Sequence, residues 1–268
     1  MIFVDSKHSV GTVGFITSGG VRFDEFYDAL EGLQVPHGTI LLKGKNYNAA
    51  RNRNCICEMA TGDWILFLDD DHSWEPDMLM RLLDREVDAV TALYCRRYPP
   101  YAPVIYETFE PPAMKLYQWR DLANRTGLLE IGACGAGGLL IRRRALEALG
   151  QFPFRVGNAN GPEWDETEPD GMHEDTGFCL RLRQAGFKLY VDLDVSAGHL
   201  TGVTLIPHVQ EDGTYSVIST IAGSPTWLLK VKDERHYCGC DRIQRYGIEA
   251  ISRIGKTVCQ CRGHFNSA

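Results

Sequence analysis

The stretch that decides the fold is Trp64-Ile65-Leu66-Phe67-Leu68-Asp69-Asp70-Asp71, in which an apolar run passes directly into three acidic residues. A run this apolar is typical of a strand buried on both faces. The three carboxylates repel one another, so a cation is their natural neutraliser, and oxygen ligands suit Mg²⁺ or Mn²⁺. The alternative is an acidic loop leading into a helix that opens at Pro76, where negative charge is favourable. Spacing alone leaves the two interpretations balanced.

Strand and helix patterns alternate around this stretch. Strands are predicted at residues 12–17, 38–42, 64–68 and 88–94, and helical spacing at residues 23–30, 49–60 and from 76. Such alternation favours an α/β fold with a mostly parallel central sheet and helices on both faces. Ligands bind such sheets beyond the carboxyl ends of the strands. We therefore expect Thr17, Ser18 and Gly19 to contact a nucleotide at the same edge as the acidic residues.

The middle of the chain is less regular. Residues 96–128 are rich in proline and tyrosine and predict a surface excursion, and residues 153–173 predict a long acidic loop. Trp164 in that loop could stack on a sugar or simply anchor the loop. The glycine-rich residues 132–138 fit either close backbone packing or room for a donor sugar, since they lack the strand-to-helix context of a dinucleotide fingerprint.

The remainder of the chain divides into two parts. A short helix ending at Gly186 and a strand at 188–195 return the chain to the sheet, and two β-rich runs around residues 211–213 predict a hairpin. We expect a catalytic domain over residues 1–203 and a small cysteine-containing extension over residues 204–268.

The residues around the acidic stretch resemble those of family-2-like GT-A glycosyltransferases. In that family an Ala-Arg-Asn helix, here at residues 49–52, precedes a Gly-Asp turn, here Gly62-Asp63, and an apolar strand that ends in Asp-x-Asp. The resemblance implies a Rossmann-like GT-A fold. It also implies that Asp69 and Asp71 are the outer pair of the metal motif.

The same resemblance assigns roles within this stretch. Asp71 would bind the metal, while Asp69 and Asp70 would face the nucleotide ribose and the waters of the metal. Arg51 would approach the nucleotide, although a surface arginine paired with a nearby acid is an equal alternative.

A second acidic cluster opens at His173-Glu174-Asp175. A carboxylate at a helix start is most often a cap. However, residues 174–186 resemble the Glu-Asp helix of the same family, in whose inverting members the matching aspartate is the general base. The resemblance implies that Asp175 is the catalytic base and that Glu174 binds the acceptor or orients Asp175. It further implies that His199, after the following strand, is a metal ligand, whereas a lone histidine is usually structural.

Four cysteines near the C-terminus form two Cys-x-Cys pairs, Cys238 with Cys240 and Cys259 with Cys261. Four thiolates could hold a structural Zn²⁺. Because the usual spacing has two intervening residues, disulfides or free thiols stay open as alternatives.

Bulk composition excludes some classes of partner. The net charge of −7 argues against a general nucleic-acid footprint. No apolar run approaches the roughly 20 residues of a membrane span. The first residues show no basic segment followed by an apolar run, so we expect no secretory signal, a cytoplasmic location and reduced thiols.

These features together predict metal-dependent transfer of a sugar from a UDP- or GDP-sugar to an acceptor hydroxyl. The Glu-Asp match implies inversion, with retention still open. A nucleotidyltransferase is the enzymatic alternative, but it usually has a basic glycine-rich loop near the first strand, of which residues 18–22 are a poor version. A non-catalytic module that binds nucleotide-sugars or glycans is the other alternative.

Overall fold

The computed structural model of the protein describes residues 1–17, 23–45, 48–97, 100–110, 113–155, 173–201, 204–220, 227–231 and 248–251. The helices in these ranges are α1 (Asp24–Gly32), α2 (Ala49–Met59), α3 (Met78–Asp84), α4 (Trp119–Leu122), α5 (Arg143–Glu147) and α6 (Glu174–Gln184). The strands are β1 (Ile2–Val4), β2 (Thr12–Ile16), β3 (Gln34–Pro36), β4 (Ile40–Gly44), β5 (Trp64–Asp69), β6 (His72–Trp74), β7 (Ala89–Leu93), β8 (Ile105–Glu110), β9 (Ala113–Leu116), β10 (Leu128–Ile131), β11 (Ala133–Cys134), β12 (Leu139–Arg142), β13 (Leu189–Leu200), β14 (Thr204–Val209), β15 (Tyr215–Thr220), β16 (Trp227–Val231) and β17 (Ile248–Ile251).

The central sheet confirms the predicted α/β class. Among the described residues its strands lie in the order β4-β2-β5-β12-β7-β13, and β14 to β17 extend it beyond β13. β2 is parallel to β4 and β5, and β13 is parallel to β7. β12 runs in the opposite direction between β5 and β7, so those two strands share one direction. The central strands are therefore mostly parallel, as predicted, and the carboxyl ends of β2, β5, β7 and β13 meet at one edge.

β5 lies in the middle of this sheet and is buried on both faces. Its residues from Trp64 to Leu68 are at most 1% exposed. Ile65 and Phe67 belong to one hydrophobic core, whereas Trp64, Leu66 and Leu68 belong to the core on the other face. The two cores follow from the period of two along a strand, which sends successive side chains to opposite faces.

Helix α2 packs closely on the sheet because β2 has a glycine beneath it. A Cβ atom at Gly14 would lie 2.4 Å from Cγ2 of Ile56, closer than real side chains approach. The helix is capped by Asn48, whose side-chain oxygen accepts a hydrogen bond from the backbone N–H of Arg51 at 2.9 Å. This close packing brings the polar residues of α2 up to the carboxyl end of β5.

The predicted surface excursion over residues 96–128 is wrong. β8, β9 and β11 form a small sheet there, and α4 follows it. Ile105, Phe109, Trp119 and Leu122 are buried in the same core as β5. Prolines and tyrosines dominate the composition of this segment, but its widely spaced large apolar residues decide the burial.

The predicted hairpin is confirmed as β14 and β15, joined through residues 210–214. β14 pairs with β13, and Tyr215 of β15 stacks on Trp119 of α4 with ring centroids 4.9 Å apart. Leu205 and Val217 are buried in the core that contains Phe67. The hairpin thus continues the central sheet, and the boundary near residue 203 stays a prediction.

None of the helices in the described ranges is long and apolar enough to cross a lipid bilayer.

Replacing Phe67 should reveal how much β5 contributes to stability. The Phe67 ring packs edge-on against Phe154 at 5.1 Å, and Phe154 stacks on Phe178 of α6. Phe67→Ala should lower the free energy of unfolding by about 3–5 kcal/mol, because it leaves a cavity between strand and helix. Met59→Ala is the control, since Met59 is 63% exposed and its loss should cost about 0.5 kcal/mol or less. Similar urea-unfolding midpoints for both variants would contradict this account of the core.

Candidate active site and metal centre

An open cleft of about 440 Å³ lies at the edge where the carboxyl ends of the parallel strands meet. Side chains from β5, β6, β13 and α6 and from the segments after β7 and β11 converge on it. The cleft is lined by Asp69, Asp71, His72, Tyr94, Arg96, Arg97, Val104, Tyr106, Gly135, Ala136, His173, Asp175, Thr176 and His199. The structure therefore brings the two acidic clusters and His199, which are far apart in sequence, into one cavity.

Arg53 of α2 connects the two acidic clusters. Its guanidinium group is buried and donates hydrogen bonds to Oδ1 of Asp69, at 2.6 Å, and to Oε1 of Glu174. Burial by itself lowers the pKa of Arg53, but the neighbouring carboxylates of Asp69, Glu174 and Asp175 raise it above its usual range. Arg53 thus stays charged and holds the end of β5 against the start of α6.

The sequence pointed to Arg51, whose predicted nucleotide contact stays a prediction, and it did not point to Arg53. The structure places Arg51 on the exposed side of α2, whereas Arg53 lies one turn after Ala50 on the face directed toward the sheet. Residues three or four apart share one face of a helix, so the spacing from the buried Ala50 was the available signal.

Asp71, His72 and His199 form the group of ligand-type residues that the described part of the chain offers to a metal. One ligand atom from each lies within 4.8 Å of the others. β6 pairs with β13 in antiparallel register, which sets His72 directly opposite His199. The two imidazole rings stack with centroids 4.3 Å apart. The sequence predicted Asp71 and His199 but missed His72, whose only signal was its place directly after the acidic run.

The imidazole nitrogens and carboxylate oxygens of this cluster lie close to one another. Nδ1 of His199 donates to the carbonyl oxygen of Cys95 at 2.7 Å, which leaves Nε2 without a proton, 3.6 Å from Oδ2 of Asp71. Nδ1 of His72 lies 2.8 Å from Oδ1 of Asp71, but the contact lacks hydrogen-bond geometry. Both ring nitrogens of His72 and Oδ1 of Asp71 are therefore buried without a hydrogen-bond partner. A carboxylate oxygen and unprotonated imidazole nitrogens that converge in this way fit a bound cation.

The pKa shifts of Asp71 and His199 also favour the binding of a cation. Burial raises the pKa of Asp71, but the two histidines, when protonated, outweigh it and hold the pKa well below its usual range. Burial is also the main cause that lowers the pKa of His199. An ionised carboxylate beside a neutral imidazole is the state in which both residues can ligate a metal.

Asp175 lies in the first turn of α6, on the other side of the cleft. It is half-buried, and its Oδ1 accepts a hydrogen bond from the backbone N–H of Thr176 at 2.6 Å. Burial, reinforced by the charge of Glu174 and opposed by Arg53, raises the pKa of Asp175 to about 6. The N-cap position itself belongs to His173, whose side chain makes no capping bond. A carboxylate with a pKa near neutrality is suited to accept a proton.

Two of the glycines before β12 make room for side chains of the site. A Cβ atom at Gly137 would lie 2.6 Å from Cε1 of His72, and one at Gly135 would lie 2.1 Å from the hydroxyl oxygen of Tyr94. The Tyr94 ring in turn contacts both imidazoles edge-on, with centroids 4.6 Å from His72 and 5.9 Å from His199. At these two positions the structure favours the close-packing interpretation of the glycines.

The other predicted site residues are placed as follows. Thr17 is buried after β2, where its N–H donates to Gly44, and Asp70 keeps a buried Oδ2 without a hydrogen-bond partner. Asp69 pairs with Arg53 and is not in the metal-ligand group of the described residues. The predicted nucleotide contacts at Ser18 and Gly19, the loop residue Trp164 and the zinc ligands Cys238, Cys240, Cys259 and Cys261 lie outside the described residues.

Comparison with known proteins gives a family match. The sequence model of the family described as "Glycosyl transferase family 2" matches residues 22–150. The succinoglycan biosynthesis protein ExoM of Rhizobium meliloti (strain 1021) is 32% identical over 151 residues, which are 54% of this chain and 46% of that protein. The chain therefore spans about half the length of this curated relative.

Solved structures with a related arrangement include A197 from STIV, with 17% identity and a TM-score of 0.48 over 76% of this chain and 92% of that chain. Another is S. aureus TarS 1-349 in complex with UDP-GlcNAc, with 11% identity and a TM-score of 0.43 over 80% of this chain and 58% of that chain. The family match and the curated relative, rather than these distant structures, show that this chain is similar to family-2 glycosyltransferases over about half of its length.

Proposed function

We propose that this protein transfers a sugar from a nucleotide-diphosphate sugar to an acceptor hydroxyl, with a divalent metal and with inversion at the anomeric carbon. One observation carries the proposal: a metal-ligand cluster and a carboxylate with a raised pKa line the same cleft. The cluster comprises Asp71, His72 and His199, and the carboxylate is Asp175. A cation suits a diphosphate, and the carboxylate suits a hydroxyl that must lose its proton.

Asp175 is the residue of its cluster that is available as a base. The neighbouring Glu174 is engaged by Arg53 and shares that guanidinium with Asp69. In the proposed step the acceptor oxygen bonds to the anomeric carbon while the bond from that carbon to the diphosphate breaks. The acceptor proton passes to Asp175. A single displacement from the face opposite the leaving group inverts the configuration.

The residues of the cluster favour Mn²⁺ over Mg²⁺. Mg²⁺ prefers oxygen ligands in octahedral geometry, whereas imidazole nitrogen suits transition metals. His72 and His199 would supply two nitrogens and Asp71 one oxygen. When bound, the ion neutralises the charge that develops on the departing diphosphate. Arg53 compensates one of the two negative charges of Asp69 and Glu174 near the same cleft, which limits the repulsion that an anionic donor would meet.

The donor is proposed to be a UDP- or GDP-sugar, and the acceptor a hydroxyl compound that an activity assay must identify. Incubation with a panel of nucleotide-sugars and Mn²⁺ tests the reaction type directly. Release of free nucleoside diphosphate supports glycosyl transfer. Release of pyrophosphate would instead indicate a nucleotidyltransferase, and binding without turnover would indicate a non-catalytic module.

Removing one ligand of the cluster should abolish tight Mn²⁺ binding. Asp71→Asn and His72→Gln keep side-chain size but lose a ligand charge or the imidazole. We expect Mn²⁺ affinity, measured by electron paramagnetic resonance of the free ion, to fall by more than the about 10–100-fold that loss of a supporting hydrogen bond costs. His37→Gln is the matched control, because His37 is exposed and pairs with Asp5 at 3.4 Å. Normal Mn²⁺ binding in His72→Gln would show that His72 is not a metal ligand.

Replacing the base should separate catalysis from binding. Asp175→Asn keeps the shape of the side chain but cannot accept the proton, so kcat should fall by about 10²–10⁴-fold while donor affinity barely changes. If Asp175 only stabilised the helix start, asparagine would serve almost as well and the rate would survive. Asp28→Asn, on the exposed side of α1, provides the control for loss of one carboxylate charge.

The pH dependence of the reaction should report Asp175. Its ionised form is the reactive one, so kcat/KM should fall as the pH drops through the pKa of about 6. The loss should approach about tenfold per pH unit on the acid side. Saturating Mn²⁺ and a parallel measurement of metal occupancy separate this effect from protonation of the ligands. An acid limb that persists in Asp175→Asn would assign the titration to another group.

A further inference from the structure

We infer that Arg97 is an exchangeable counter-cation of the metal centre. It neutralises Asp71 while no metal is bound, and it moves to the diphosphate of the donor when a divalent ion takes its place. The inference rests on the proposed function and extends it, because it assigns a residue that couples metal binding to donor binding.

The contact that carries the inference is between Arg97 and the metal ligand itself. Nη1 of Arg97 lies 3.0 Å from Oδ2 of Asp71, the same oxygen that faces Nε2 of His199 at 3.6 Å. A guanidinium group and a ligating imidazole thus share one carboxylate oxygen. A divalent ion bound to that oxygen would repel the guanidinium at this distance. Metal and Arg97 therefore compete for Asp71.

Arg97 has the freedom to leave, unlike the other arginines of the described cleft. Its side chain is 51% exposed, whereas that of Asp71 is 21% exposed. Arg53 is buried between Asp69 and Glu174, and its departure would strand two desolvated carboxylates. Arg96 is half-buried and contacts the Tyr106 hydroxyl at 3.4 Å. An ion pair as exposed as that of Arg97 is weak enough to exchange.

The charges in the cleft indicate where the guanidinium group of Arg97 would bind after it leaves Asp71. A metal ion adds two positive charges beside Asp71, and a donor then adds the negative charges of its diphosphate. Arginine binds phosphate oxygens with two parallel hydrogen bonds, which makes a displaced Arg97 at the mouth of the cleft a suitable partner. Because Arg97 opposes the metal before the donor binds and assists the donor afterwards, the two ligands should bind with positive cooperativity.

The test measures Mn²⁺ binding to the purified full chain without nucleotide, in wild type, Arg97→Gln and Arg97→Lys. Arg97→Gln should bind Mn²⁺ more tightly than wild type, on the order of two- to fivefold, because an exposed competitor has been removed. Arg97→Lys should stay near wild type, because it keeps the charge. Arg144→Gln is the matched control, since Arg144 is exposed and pairs with Asp88 away from the cleft.

A second titration uses UDP and GDP as probes in the presence of saturating Mn²⁺. For whichever probe binds, Arg97→Gln should bind it more weakly by about tenfold or more, which is the loss expected for a charge-assisted hydrogen bond. The Mn²⁺ gain and the nucleotide loss must occur in the same variant. A general destabilisation of the site would weaken both.

The outcomes distinguish this inference from the proposed function. The exchange is contradicted if wild type binds Mn²⁺ and Arg97→Gln binds it equally or more weakly. It is also contradicted if the affinity for the diphosphate is unchanged. In both cases the proposed metal centre is unaffected. If neither wild type nor any Arg97 variant binds Mn²⁺, both proposals fall. If Arg97→Gln binds Mn²⁺ where wild type does not, the exchange is supported in its strongest form.

Discussion

The buried guanidinium group of Arg53 is the interaction on which the rest of the site depends. It lies between a carboxylate at the end of β5 and another at the start of α6, so it attracts both and reduces the repulsion between them in a desolvated setting. Removing one partner of such a buried set leaves uncompensated charge and is strongly destabilising. The position of α6, and with it that of Asp175, therefore depends on a residue that has no direct place in the proposed chemistry.

The carboxylates of the cleft are chemically alike, and their neighbours give them different properties. Asp69 and Glu174 share the single positive charge of Arg53. Asp71 lies beside two imidazoles that, when protonated, hold its pKa well below the usual range, which suits a metal ligand. Burial and the nearby charge of Glu174 raise the pKa of Asp175 toward neutrality, and Arg53 compensates only part of that rise. Environments that separate the pKa values of neighbouring acids are the usual way in which one site holds both a base and a permanent charge.

Packing behind the cleft explains features that seemed ambiguous in the sequence. Gly135 and Gly137 leave space for Tyr94 and His72, so the glycine-rich segment packs against these two side chains. The segment over residues 96–128 was misjudged because its composition is that of a loop. Its few large side chains nevertheless reach the main core through β8 and α4. Burial there depends on which side chains meet across the sheet, and local composition does not report that.

The alternation of strands and helices, the doubly buried β5 and the acidic residues at its end could all be predicted from the sequence. These properties follow from local periodicity, which a single sequence displays. The family resemblance added Asp71, Asp175 and His199 as candidates, and the structure brings them to one cleft. The contacts of Arg53 with Asp69 and Glu174, and the pairing of His72 with His199, appear only in the folded chain. The physical reason is that helix phase and strand register are set by long-range packing, here between β6 and β13, which local spacing does not encode.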